Sequence, residues 1–333
     1  MSTIYGDINP EVAGYLSKIM LKRAVPLQNL EPFVSGETLQ SYETKTMRFR
    51  RVEGDIAFAK AKAYISEGVT PNAQDVSLTD YTLTLRQMGG LMKLTNIVEN
   101  HHTTKIGRQM FEILGEQAPR VIETDRFYAL RAATLKYYSG SATSRATVIA
   151  PIQKSLLSKV SRKLFQNIAL QITQMATTTP DFNTVSVRPA YIAACHTDLK
   201  YDIEQTPGFK EIADYPSGTQ LYPGELGSVS DFRFVLGQDM GHYPDSGAAV
   251  SGTLSTSGTL SDVYPIVIFG QRAWDSVAFK GEFAVTPIVI NPNTPSHSNP
   301  MGLNGFVCWK TMQGTLITNP SWIVVAEVAC TSL

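Results

Sequence analysis

An early run of strict alternation constrains the fold more than any other feature of this sequence. It lies in residues 66–90, SEGVTPNAQDVSLTDYTLTLRQMGG, where Tyr81, Leu83 and Leu85 alternate with polar residues. Successive side chains of a β-strand point to opposite faces of a sheet, so this period of two predicts a long strand with one apolar face. Such a face must be covered, either by a sheet of the same chain or by another chain.

A second alternating strand comes before the first. In residues 45–52, KTMRFRRV, apolar side chains alternate with Arg48 and Arg50. Strands at 45–52 and 78–95 enclose about two dozen residues, which predicts an antiparallel hairpin with a long excursion. The arginines favour a solvated or ion-paired strand edge over a contact with nucleic acid.

Two helical patterns follow the hairpin. Residues 105–138 carry apolar side chains three or four positions apart, which predicts a helix of about 50 Å. Pro119 is expected to kink or divide this helix, because proline lacks the N–H group and clashes with the preceding turn. A second helical pattern covers residues 152–176.

The remainder mixes short strands, turns and loops. We expect an apolar strand at 191–195, a brief helix from Asp198 capped by Thr197 or Asp198, a surface loop at 241–262, a buried strand at 263–270, a turn at 271–274, and closing strands at 305–318 and 322–328. Helices gathered in one part of the chain and strands in the others predict an α+β fold with a loop-rich inserted half.

Composition limits the classes of function. The chain has 333 residues, of which 43% are hydrophobic, so a sizeable core is expected. Lys+Arg and Asp+Glu balance at 29 each, which argues against a general nucleic-acid binder, since that affinity depends on cationic neutralisation of phosphates. Asp7 and Glu11 stand where a secretory signal would be basic and then apolar, so we expect a cytosolic protein.

Motifs that carry chemistry are missing from the sequence. It contains no phosphate-binding loop, dinucleotide fingerprint, nucleophile elbow or zinc-protease motif. Its three cysteines form no CxxC pair, which predicts free thiols. Cys195 and His196 are a weak candidate for a nucleophile and its base, because sequence neighbours rarely have that geometry. His101 and His102 are unsuited to chelating one metal. We therefore expect no catalytic residue, metal or cofactor.

Four stretches in order carry a resemblance to a known family. They are Glu67–Pro71 before the alternating strand, Gly224–Val229 leading into Phe232–Val235, Val263–Pro265 running to Phe269–Gly270, and Trp309–Lys310 with Ile317–Val325. In this order they resemble the major capsid proteins of tailed bacteriophages with the Hong Kong 97-type fold. The resemblance is closest to the coat-protein family named for coliphage N-four.

The resemblance implies a division of the chain. The parts are an N-terminal arm at 1–44, an extended loop at 45–102, a peripheral domain at 103–185 with a spine helix at 103–140, an axial domain at 186–300, and closing strands of the peripheral domain at 301–333. The resemblance, together with the α+β fold, also implies a non-enzymatic shell protein, present in the virion capsid and assembled in the cytoplasm of a bacterial host.

The implied partners are many copies of the same chain, in pentamers and hexamers. Scaffolding, portal and decoration proteins and packaged double-stranded DNA are further expected partners, without a membrane. The candidate assembly residues are Arg48, Arg50, Glu67, Tyr81, Leu83 and Leu85. For the last three, an ordinary intrachain sheet remains an alternative. Other functions left open are an encapsulin-like cargo shell, a cytosolic enzyme using Cys195 and His196, and a non-capsid virion or surface-layer protein.

Overall fold

The structure, a computed structural model, describes most of the chain after residue 105 and shorter pieces before it. The described residues are 28–34, 38–39, 46–53, 77–95, 106–172, 188–214, 221–279, 286–290, 295 and 299–333. Glu67, the His101–His102 pair and most of the predicted arm at 1–44 lie outside the described residues.

The described elements comprise strands and helices in mixed order. The strands are β1 Thr38–Leu39, β2 Thr46–Glu53, β3 Ser77–Thr84, β4 Arg86–Thr95, β5 Lys136–Tyr138, β6 Tyr191–His196, β7 Phe209–Glu211, β8 Glu225–Val229, β9 Phe232–Gly237, β10 Val263–Phe269, β11 Trp274–Phe279, β12 Thr286–Ile290, β13 Asn304–Ile317 and β14 Ile323–Ala329. The helices are α1 Ile106–Leu130, α2 Lys154–Gln166 and α3 Lys200–Glu204.

A seven-stranded sheet in the order β5-β14-β10-β6-β9-β8-β7 forms one body. Every residue of β10 and β14 is buried. One face of the sheet packs against α2 and α3, and the other packs against the end of α1 and Leu30. Strands covered on both faces read as nearly continuous apolar runs, which is why the predictions at 263–270 and 322–328 are confirmed.

A second sheet has five strands, with β13 at its centre. β4 pairs with one edge of β13, and β11 and β12 pair with the other, while β1 adds to β11. Along β13, buried and partly buried residues alternate from Asn304 to Met312. Val307 and Trp309 pack against Leu114 and Ala118 of α1, so α1 covers one face of this sheet.

The predicted hairpin is present as a two-stranded ribbon. β2 and β3 pair antiparallel from Thr46↔Thr84 to Glu53↔Ser77. The long strand predicted at 78–95 is divided at Leu85, because β3 pairs with β2 whereas β4 pairs with β13. Arg86 and Gln87 are both exposed, so the alternation shifts by one residue where the chain passes from ribbon to sheet.

Helix α1 runs from Ile106 to Leu130 with Pro119 inside it, so the predicted division is wrong, and it ends at Leu130 rather than near 138. Residues 136–138 instead form β5, which pairs in parallel with β14. Pairing to a buried strand here overrides the helical spacing of the side chains, because tertiary contacts outweigh weak local propensities.

Helix α2 is also shorter than the predicted 152–176. It ends at Gln166, and Ile168 adopts a left-handed φ of 54°. The N–H of Ala169 donates to the carbonyl of Leu164 at 3.0 Å, which closes the helix C-terminus. The brief helix near Asp198 is confirmed, but its cap is His196, whose Nδ1 accepts the N–H of Asp198 at 3.2 Å.

Both sheets combine strands from parts of the chain that were predicted to lie in different domains, and the domain boundaries stay a prediction. β14, predicted among the closing strands of a peripheral domain, lies between β5 and β10. β11 and β12, predicted in an axial domain, pair with β13. Strands that are distant in sequence pair freely in antiparallel sheets, so sequence order alone does not locate such a boundary. The positions of these parts relative to symmetry axes stay a prediction.

Candidate assembly surface

The ribbon of β2 and β3 is the first candidate for a contact between chains. Its backbone register places Arg48 opposite Thr82 and Arg50 opposite Asp80. Opposite charges at facing positions stabilise an antiparallel pair by about 0.2–1 kcal/mol. A two-stranded ribbon is only marginally stable in water by itself. This part of the chain therefore gains most from a further surface that covers it.

Leu83 and Leu85 do not need a surface from another chain to cover them. They are 7% and 3% exposed, and they pack against Val277, Met312 and Leu316 of the same chain. Within the single chain these two leucines are already covered, as the intrachain alternative predicts, and their part in a contact between chains stays a prediction. Tyr81 is partly buried, as the alternation predicts.

The face of the five-stranded sheet opposite α1 holds exposed apolar side chains. We call it the outer sheet face. Its apolar members are Leu91, Ile288, Ile290, Phe306 and Cys308, which register places on one side together with Lys93 and Lys310. Met312 lies on the same side but is covered by Leu83 and Leu85. Leu91 is 66% exposed and Ile290 is 44% exposed. A group of exposed apolar side chains on a sheet is typical of a protein interaction site.

Sequence reasoning missed the outer sheet face. The signal was ambiguous, because β4 has apolar residues at neighbouring positions, Leu91 and Met92. Met92 packs towards α1 with Val307 and Trp309, which leaves Leu91 on the other side. Only the position of α1 decides which of the two is covered.

Two glycines of β4 let the sheet pack tightly against Trp309. A Cβ atom at Gly90 would lie 2.6 Å from the indole Nε1 of Trp309, and one at Gly89 would lie 2.7 Å from its carbonyl oxygen. Trp309 is 3% exposed and belongs to the cluster under α1. The pair MGG in the sequence therefore marks a close approach of strand and side chain.

The ion pair of Arg145 and Glu327 connects the loop at 241–262 to the seven-stranded sheet. Glu327 of β14 is fully buried and accepts two hydrogen bonds from Arg145, at 2.8 and 2.6 Å. Hydrogen bonding to Glu327 is the main cause that raises the pKa of Arg145. The same guanidinium stacks 3.5 Å from the ring centre of Tyr243. These contacts hold the loop at 241–262 against the sheet, where Ser261 and Asp262 are buried, so it is more than a surface insertion.

Cys195 and His196 do not form a nucleophile and its base. The thiol of Cys195 is fully buried in the core, and burial raises its pKa, which disfavours the thiolate. His196 is next in the strand, so its side chain leaves on the opposite face. Its Nδ1 lies 3.1 Å from the carboxylate of Asp198.

All three cysteines are free thiols, as predicted. Among the described residues, no group of His, Cys, Asp and Glu is arranged to hold a metal ion. The described helices include none that is both long and apolar enough to cross a bilayer.

Comparisons with known proteins give a consistent result. No family model matches the chain. The chain is 25% identical over 241 residues to the major capsid protein of Pseudomonas phage KPP21. This match covers 67% of the chain and 59% of the phage protein. The match therefore spans less than two thirds of that relative's length.

Solved structures extend the likeness to nearly the whole chain. The capsid of Ralstonia phage GP4 matches with a TM-score of 0.69 at 11% identity, over 92% of each chain. The capsid of cyanophage Pam1 matches with a TM-score of 0.61 at 10% identity, over 92% of this chain and 93% of that one. The capsid of cyanophage P-SCSP1u has a TM-score of 0.57 at 11% identity, over 99% and 93%. The chain has the α+β fold of these phage capsid proteins, and the predicted fold class is confirmed.

Proposed function

We propose that this chain is a major capsid protein, which assembles in many copies into the icosahedral shell around the double-stranded DNA of a tailed phage. The observation that carries the proposal is the shared fold with the GP4 capsid over 92% of each chain. The similarity to a relative named as a major capsid protein supports the same function. In this function the chain acts through its contacts and needs no catalytic residue.

The outer sheet face and the ribbon are the contacts we propose for assembly. Burial of apolar surface contributes about 25 cal/mol per Å², so each large side chain adds on the order of 1–2 kcal/mol. Contacts of this size are individually reversible, but they hold a closed shell together because each chain makes several at once. A head-to-tail contact that closes into rings suits a ribbon and a sheet face, which are different surfaces of one chain.

The finer parts of the proposal rest on the resemblance. We propose membership of the coat-protein family of coliphage N-four, with the ribbon as the extended loop and α1 as the spine helix. Arg48, Arg50, Glu67 and Tyr81 remain candidate assembly residues. Scaffolding, portal and decoration proteins and the packaged DNA are the proposed partners, with assembly in the host cytoplasm and a final place in the virion.

The first experiment is electron microscopy and light scattering of the protein expressed alone and with its neighbouring genes. We expect closed shells of uniform size. The capsid proposal is contradicted if neither preparation contains particles, or if the assemblies are flat or helical. Shells that enclose an enzyme and no genome identify a cargo shell instead.

A matched pair of variants locates the contact. Leu91→Asp places a charge on the outer sheet face, whereas Leu260→Asp makes the same change at a 40% exposed leucine of the loop at 241–262. We expect Leu91→Asp to give a folded protein without shells, and Leu260→Asp to give normal shells. Normal shells from Leu91→Asp exclude the outer sheet face as an assembly contact.

A further inference from the structure

A buried carboxyl group joins the first described segment of the chain to helix α1. Glu123 is 2% exposed, and its Oε1 accepts the backbone N–H of Leu30 at 2.5 Å. Its other oxygen, Oε2, has no hydrogen-bond partner among the described residues. Burial of a carboxyl group with an unpaired oxygen is unfavourable when the group is ionised. The burial of Glu123 therefore favours its neutral, protonated form.

Residues 28–34, which we call the anchor segment, pack on both α1 and the seven-stranded sheet. Leu30 is fully buried in the cluster that includes the end of α1. The ring of Phe33 lies 4.8 Å from that of Tyr222. The side-chain amide of Asn29 donates to the carbonyl of Leu236 at 2.7 Å. These contacts fix the anchor segment to both α1 and the seven-stranded sheet.

The charged groups that face Glu123 are Arg126 and Glu31. Arg126 Nη1 pairs with the carboxylate of Glu31 and lies 3.8 Å from Glu123 Oε2, beyond hydrogen-bond distance. Arg126 Nε donates to Ser276 of β11 at 3.3 Å. Two other charged groups lie near this helix: Asp239 pairs with Arg120, and Asp275 points to the opposite face of β11 from Ser276. The guanidinium of Arg126 is thus shared between Glu31, Ser276 and Glu123. It therefore offsets the negative charge of an ionised Glu123 only in part.

We propose that Glu123 is a protonation-controlled latch for the anchor segment. The neutral carboxyl group holds residues 28–34 in place, and ionisation loosens them. This inference concerns the chain itself and does not depend on the proposed function. It assigns to Glu123 control over the docking of residues 28–34 on α1 and the seven-stranded sheet.

The direction of the effect follows from linkage. Burial raises the pKa of Glu123 to about 7, although the Leu30 N–H and Arg126 act to lower it. When the anchor segment leaves, water reaches the carboxyl group and its pKa falls towards the ordinary value. The docked state therefore binds the proton more tightly, and docking weakens as pH rises from about 4.5 through about 7 and levels off above that.

Hydrogen exchange of the full-length protein, measured by mass spectrometry, tests the latch. After correction for intrinsic exchange rates, we expect protection of residues 28–34 to fall about tenfold between pH 6 and pH 8. Glu123→Gln is neutral at both pH values and should abolish this change. Asp125→Asn removes the same charge from the same helix and should retain the change of the unaltered protein.

Equal protection of residues 28–34 at both pH values in the unaltered protein overturns the latch. So does a pH dependence that persists in Glu123→Gln. Peptides from β10 and β14 serve as the internal reference. A latch that opens without global unfolding should let residues 28–34 exchange faster than these strands, so protection of residues 28–34 equal to that of β10 and β14 at both pH values also rejects the latch. If Glu123→Gln does not fold, the unaltered protein with this reference decides.

Discussion

The seven-stranded sheet and the five-stranded sheet solve the problem of burial in different ways. The first is covered on both faces by its own chain, and β10 and β14 have no exposed residue. The second is covered by α1 on one face and presents Leu91 and Ile290 on the other. A body that is complete by itself is thus joined to a sheet that leaves room for a partner.

The difference teaches where stability and assembly are separable. Substitutions in the seven-stranded body should change the free energy of unfolding of the single chain. Substitutions on the outer sheet face should leave that quantity nearly unchanged and alter only association, because the side chains there are already in water. The predictions below try to break or sharpen this separation.

The largest effect is expected where ribbon and sheet meet. Leu83→Asp places a charge at a site 7% exposed, beside Val277 and Met312. We expect a loss of more than about 4 kcal/mol of unfolding free energy, since a buried charge without a partner is strongly unfavourable. Urea denaturation of the single chain measures it. If the variant is soluble, keeps its free energy of unfolding and fails only to assemble, the hypothesis that a neighbouring chain covers Leu83 is supported instead.

A matched pair of isoleucines tests the two sheets directly. Ile268→Ala in β10 removes a fully buried side chain, and we expect a loss of about 2–5 kcal/mol. Ile290→Ala in β12 affects a side chain that is 44% exposed, and we expect a change within about 0.5 kcal/mol in the single chain. Comparable losses in the two variants, from urea midpoints, would show that the sheets are not different in this respect.

The next prediction concerns how the free energy of unfolding of the single chain depends on pH through Glu123 of α1. Because the pKa of Glu123 rises from 4.5 to about 7 on folding, the folded chain binds more protons in that window. Its free energy of unfolding should therefore fall as pH rises from about 4.5 to 7, by at most about 3 kcal/mol. Glu123→Gln should flatten this part of the profile, measured by urea denaturation at several pH values. An identical slope in the variant assigns the dependence to other groups.

A smaller effect is expected at the strand that lies over Trp309. Gly90→Ala forces the indole away from its position, because the new Cβ atom would approach Nε1 to 2.6 Å. Overpacking of this kind costs about 1–3 kcal/mol. Thermal unfolding of the single chain measures it, with Gly258→Ala as the control for a site that meets no neighbour within 4 Å but has a positive φ. Gly258→Ala reports the cost of backbone strain at a positive φ, which Gly90 does not have, so an unchanged stability in Gly90→Ala would reject the packing effect.

The smallest effect concerns the arginines of the ribbon. If Arg48 and Arg50 pair with carboxylates of a neighbour, assembled shells should loosen as salt rises from about 0.1 to 1 M, because exposed ion pairs are screened and each contributes about 1 kcal/mol or less. Light scattering during a salt titration reports the change. Salt-independent shells would place the strength of the ribbon contact in apolar burial.

The sequence alone determined several strands, at 191–195, 263–270, 305–318 and 322–328 and in the hairpin, and it indicated how two of them are covered. The continuous apolar run VYPIVIF predicted a strand buried on both faces, and the alternation at 78–86 predicted one covered on a single face. Both properties are patterns of hydrophobic residues over a short stretch of sequence, so they can be recognised without knowing the rest of the fold. The α+β class and the hairpin were accessible for the same reason.

Only the tertiary structure decided which elements meet. Pairing of β5 with β14 ended α1 early, and β13 with Val277 covered Leu83 and Leu85 within the single chain. The unusual setting of Glu123 comes from Leu30, 93 positions away in the chain. Burial, desolvation and strand pairing depend on groups that are distant in sequence, and no local period records them.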